Sequence, residues 1–123
     1  MVLCSSATPA SYLSELAELG VETIVSGADH VDYRSALAQL RERFGVETIR
    51  VDSGGRLSGL LLSEGLVDEV SVLVFPALVG NASSLSICNL PETVAGGAVV
   101  SLALRGVEVP RDDAVWLRYD VVR

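Results

Sequence analysis

The chain has 123 residues, half of them apolar, and 9 basic against 16 acidic side chains give a net charge of −7. That length suits one domain with a sizeable core and is short for two, while the acidic balance argues against a nucleic-acid backbone or an anionic membrane surface as partner. No run approaches the ~18 apolar residues of a membrane span, and the start Met1-Val2-Leu3-Cys4-Ser5 lacks a basic leader, so the chain reads as cytoplasmic.

Val2 to Cys4 predicts a short strand and Pro9 to Leu19 a helix, with Thr8 as its cap, Pro9 in its first turn, Gly20 at its end, and Leu13, Leu16, Ala17 and Leu19 as its buried stripe. Val21 to Ser26 is a second strand. Asp32 then caps a helix whose apolar side carries Leu37, Leu40 and Phe44, with Gly45 beyond its end. Val46 to Val51 predicts a third strand, Gly55 to Glu64 a helix, and Val70 to Phe75 a fourth and buried strand. Asn81 to Gly97, polar, small and interrupted by Pro91, predicts a loop. Val99 to Val109 and Ala114 to Val122, separated by Pro110-Arg111-Asp112-Asp113, predict an antiparallel hairpin. The alternation of strand and helix predicts an α/β fold, a mostly parallel sheet with helices on both faces, finished by that hairpin.

The period changes at Ser53-Gly54-Gly55. Ile49 and Val51 stand two apart, whereas Leu57, Leu60, Leu61 and Glu64 recur at helical spacing. A helix N-terminus leaves its first N–H groups without intrahelical acceptors and carries partial positive charge, and glycine lets an anion reach the main chain. The expected guest is a phosphate or pyrophosphate. In so acidic a chain such a site would depend on local backbone donors and a few arginines. Cys4 and Cys88 have no metal-ligand spacing and are expected as reduced thiols; with His30 as the single histidine, no metal is expected.

The stretch from Val51 to Gly80 resembles the C-terminal signature of the riboflavin-biosynthesis pyrimidine reductases, of the dihydrofolate reductase-like superfamily. That signature is a strand ending in Val-Glu-Gly-Gly-Gly, a helix closing on Gly-Leu-Val-Asp-Glu, and a strand leading to Pro-x-Leu-x-Gly. Here the pieces are Val51-Asp52-Ser53-Gly54-Gly55, Gly65-Leu66-Val67-Asp68-Glu69 and Pro76-Ala77-Leu78-Val79-Gly80. The resemblance implies a dihydrofolate reductase-like fold and NADPH lying along the carboxyl ends of the parallel strands. It implies that Ser53, Gly54, Gly55, Arg56 and Leu57 meet the pyrophosphate, that Ser5 and Ser6 lie near the adenosine phosphate, and that Ser26 and Gly27 lie at the same sheet edge. The substrate implied is a pyrimidine phosphate, a ribosylated or ribitylated diaminopyrimidinone, and the assembly a homodimer.

Each of these residues has a second reading. Ser5, Ser6 and Thr8 also suit a helix cap and turn, Arg56 a solvated helix surface, and Asp52, which replaces the family's Glu, suits either a helix N-cap or a substrate-facing catalytic carboxylate. Ser53 replaces the family's first glycine, adding a Cβ and a hydroxyl that can donate to phosphate. The family's opening strand and its Ser-Leu-Asp-Gly-like loop have no counterpart in this chain. Two further readings follow: a non-catalytic nucleotide-binding fragment, or a module that assembles through its sheet edge.

Overall fold

In the computed structural model, which describes residues 1–78, 80, 86–90 and 99–123, the chain divides into two units, Met1–Arg50 and Val51–Arg123. The first is built on a parallel pair, β1 (Val2–Cys4) and β2 (Thr23–Val25), in the register Val2 to Thr23 and Cys4 to Val25. Parallel neighbours need a crossover. It is α1 (Ala10–Glu18), and a second helix, α2 (Tyr33–Phe44), follows β2. Ile24 and Ala36 are fully buried, with Cys4 and Leu16 nearly so. Each large aliphatic side chain buried this way contributes about 1.5–3 kcal/mol.

Local chemistry sets the helix ends. Asp32 caps α2 by accepting the Ser35 N–H at 3.0 Å, and Gly45 ends it in the left-handed region. After α1, the N–H groups of Gly20 and Val21 donate to the carbonyls of Ala17 and Leu16, the paired closure of a Schellman motif. Its start differs from expectation. Pro9 holds the cap position with no side-chain bond, because the Thr8 hydroxyl oxygen accepts the Ser5 N–H instead. The buried stripe is also narrower, since Leu16 is buried, Leu13 is half-buried, and Ala17 and Leu19 are exposed. On α2, Ala36 takes the buried place, while Phe44 is exposed beneath the Arg43 guanidinium, 5.1 Å from the ring centre.

The second unit opens on α3 (Gly55–Ser63) and continues in an antiparallel sheet of order β3-β5-β4: β3 (Glu69–Val74), β4 (Leu102–Glu108) and β5 (Val115–Val121). The expected hairpin is β4–β5, with a bulge between Leu104 and Gly106. Its turn is tight. Asp112 and Asp113 both have positive φ, and Ala114 N–H donates to Arg111 O at 3.0 Å. Across the sheet Arg105 bridges Glu69 and Asp120, the Trp116 indole donates to Ser71 Oγ at 2.7 Å, and the Arg118 guanidinium lies over the Trp116 ring. Such exposed ion pairs are worth at most ~1 kcal/mol each.

The mixed α/β class holds. Of the strand pairings among the described residues, β1–β2 is parallel and the two made by β5 are antiparallel. The expected third strand is not one, because residues 46–51 enter no ladder, and a strand exists only where a neighbour pairs its peptide groups. Among the described residues the fourth is an edge strand, paired by β5 on one side, and Leu73 and Val74 are exposed rather than buried. Val79 and most of the expected 81–97 loop lie outside the described residues. No helix among the described residues is long and apolar enough to cross a membrane.

The cap gives a direct test. Asp32→Ala removes the acceptor for Ser35 N–H and should cost ~1 kcal/mol, while Asp32→Asn should cost less than half of that, both read as shifts in thermal unfolding midpoint.

Candidate functional site

The parallel register carries Ser5 and Ser26 to one edge. Beyond the strands the two loops continue to pair: Ser26 N–H donates to Cys4 O at 2.8 Å, Ser6 N–H to Gly27 O at 2.9 Å, and Ala7 N–H to Ala28 O at 2.9 Å. Ser5 and Ser26 are buried, and their hydroxyls donate to the carbonyls of Asp29 at 3.2 Å and Asp32 at 3.1 Å. Ser5, Ser6, Ser26 and Gly27 are therefore brought together as expected. The buried hydroxyl protons are committed to the loop itself. Ser6 remains exposed at this edge.

Gly27 is what lets the second loop turn. Its φ is 84°, and a Cβ there would collide with the carbonyl of His30 and meet the Asp32 amide at 2.7 Å. Any side chain would push the loop off the start of α2.

In the second unit, Asp52 and Ser53 are exposed in the irregular segment that leads into α3. The N-cap is Gly54, extended at φ −69° and ψ 165°, and no side chain bonds the first turn from it. The N-cap position itself thus falls on Gly54, two residues after Asp52. A Cβ on Gly54 would meet nothing within 4 Å, so this peptide faces open space. The N–H groups of Gly55, Arg56 and Leu57 follow at the positive end of the helix, the arrangement in which an anion finds several donors at once. Arg56 is exposed beside them.

Gly55 also has a packing task that the sequence did not show. A Cβ on it would collide with the Ser86 carbonyl, and one on Gly59 would collide with the Asn89 carbonyl. Both glycines seat the 86–90 segment, whose Asn89 N–H donates to Gly55 O at 2.8 Å. Asn89 escaped sequence reasoning. The Gly55-x-x-x-Gly59 spacing was the available signal, a one-turn strip on which another backbone can lie. Nearby, an apolar cavity of about 300 Å³ lies between Leu62 on α3, Val70 on β3, Leu102 on β4 and the segment carrying Ile87, Cys88 and Leu90. None of the expected site residues lines it.

Two solved structures share this architecture. A pyrimidine reductase-like protein from Corynebacterium diphtheriae superposes with a TM-score of 0.78 at 20% identity, covering 99% of this chain and 50% of its own. RibD of Acinetobacter baumannii gives a TM-score of 0.72 at 23% identity over 98% of this chain and 31% of its own. The class is the dihydrofolate reductase-like α/β fold. The model of the family described as "RibD C-terminal domain" matches residues 1–116, and the chain belongs to that family. Among curated relatives, proteins named 2,5-diamino-6-ribosylamino-4(3H)-pyrimidinone 5′-phosphate reductase match from Archaeoglobus fulgidus, 32% identical over 72% of this chain, and from Aquifex aeolicus, 28% identical over 78%. The matched stretch spans 40% of the length of each of these two relatives.

The two turn glycines should respond oppositely to substitution. Gly27→Ala combines a left-handed backbone with a collision and should cost at least ~2 kcal/mol, whereas Gly54→Ala should stay within ~0.5 kcal/mol; urea unfolding of both variants measures the contrast.

Proposed function

We propose that this domain binds NADPH and serves a reductase of the riboflavin pathway, in which the ribosylamino group of a diaminopyrimidinone phosphate is reduced. Family membership supports the reductase class, and the names of the relatives support the pyrimidine phosphate as substrate. The observation that supports the cofactor is the start of α3, where the N-cap is a glycine and a Cβ on Gly54 would meet nothing within 4 Å. The fit is chemical as well as steric. Main-chain donors at a helix N-terminus do not add charge, so they can hold a pyrophosphate in an acidic chain where a basic cluster is lacking.

In this reading Gly54, Gly55, Arg56 and Leu57 hold the pyrophosphate through their main-chain N–H groups, and Arg56 also through its guanidinium. The Ser53 hydroxyl donates to the same group. By the same family resemblance Ser6 and Gly27 are assigned to the adenosine phosphate, while Ser5 and Ser26 keep their own loops in shape. Asp52 is the substrate-facing carboxylate, accepting hydrogen bonds from polar hydrogens of the pyrimidine or its sugar. The bound nicotinamide supplies hydride, and the residues named here orient what it meets. A cytoplasmic location belongs to the same reading.

Homodimerisation is the second element of the proposal. Leu73 and Phe75 at β3, and Leu104 and Val107 on β4, are exposed, and a second copy is the proposed cover for them.

Gly54→Val tests the cofactor site. The fold tolerates a side chain there, so circular dichroism should be unchanged while NADPH affinity, measured by calorimetry, falls more than tenfold; a folded variant with unaltered affinity would falsify the assignment. Light scattering at micromolar concentration should give twice the 12.9 kDa of one chain, and a strictly monomeric species would remove the dimer.

A further inference from the structure

We propose that Asn89 is a positioning residue for the first turn of α3, a role that rests on the NADPH reading above. Three contacts converge on it. Its N–H donates to Gly55 O at 2.8 Å, its side-chain Cγ lies 3.2 Å from where a Gly55 Cβ would stand, and its carbonyl fills the place of a Gly59 Cβ. Leu90 and Cys88 on either side help enclose the apolar cavity with Leu62 of the same helix. The segment is thus held to α3 at both ends of a glycine strip. The first turn of a helix frays most readily because few of its peptide groups are bonded within the helix. An anion that binds a frayed turn must order it. The tie from Asn89 to Gly55 does that ordering before the ligand arrives and removes its cost from the binding step.

Hydrogen exchange and calorimetry with NADPH, on the full chain, test the role. Gly59→Ala drives a methyl into the Asn89 carbonyl, and Asn89→Pro deletes the donor from an exposed, non-helical position. Both should speed amide exchange at Ser58, whose N–H closes the first turn on Gly54 O at 3.3 Å, and weaken NADPH at least tenfold. Gly65→Ala disturbs the other end of α3, where φ is 65° and a Cβ meets open space, and should destabilise without changing affinity by more than twofold. Unchanged exchange in both test variants overturns the tie; faster exchange with unaltered affinity overturns the positioning role; equal loss of affinity in Gly65→Ala shows a general effect of helix stability and overturns it as well. If the unaltered chain binds no NADPH, the cofactor reading fails by itself, and the ordering of the turn stands or falls on the exchange rates.

Discussion

Among the described residues, main chain lies directly against main chain at three glycines, and the loop after β2 and the packing on α3 depend on the missing Cβ there. At Gly27 the second loop doubles back onto the start of α2; at Gly55 and Gly59 the 86–90 segment lies across α3. A buried peptide group must find a partner, and backbone that approaches this closely finds it in other backbone. The Asn89 to Gly55 bond and the paired loops after β1 and β2 are the result. Side chains decorate these crossings; they do not create them.

The two loop sets differ in what they have left to offer. After the parallel strands, hydroxyls that look like ligand donors in the sequence are turned inward, and Ser5 and Ser26 satisfy carbonyls of Asp29 and Asp32. At α3 the donors belong to the peptide backbone and no side chain caps them from Gly54. Burying an unpaired hydroxyl costs about 1–3 kcal/mol, so small polar residues in tight loops tend to be consumed by the loop. A helix end keeps its unsatisfied N–H groups in solvent at little cost. Serines near a turn are therefore weaker signs of a binding site than an open glycine at a helix start.

What could be read from the sequence was what local chemistry decides. Asp32, Gly20 and Gly45 act within one turn of their own positions, and all three end or begin helices as the pattern required. The C-terminal hairpin was legible for the same reason. Residues 46–51 have the composition of a strand, but a strand is defined by its neighbour, and alternation says nothing about whether one is there. Leu19 and Phe44 lie at the helical spacing of a buried face yet are exposed, because periodicity marks a stripe without fixing how much of it is covered. The motif at Val51 to Gly80 identified the family, while the task of Gly55 and Gly59 depended on a partner some thirty residues further along the chain, beyond the reach of any local pattern.

The turn at Asp112 and Asp113 has a consequence for how the second unit assembles in time. Two successive left-handed residues closed by the Ala114 to Arg111 bond reverse the chain, so only the short connection 109–114 separates β4 from β5. Local hairpins form in about 1–10 μs, whereas bringing Val74 to Val115 requires a far longer loop and pays its closure entropy first. β5 is central, bonded on both sides, and the loop lengths alone favour an order in which the hairpin forms first and β3 docks on it. Substitutions in the turn should then slow refolding, while those on β3 should chiefly quicken unfolding.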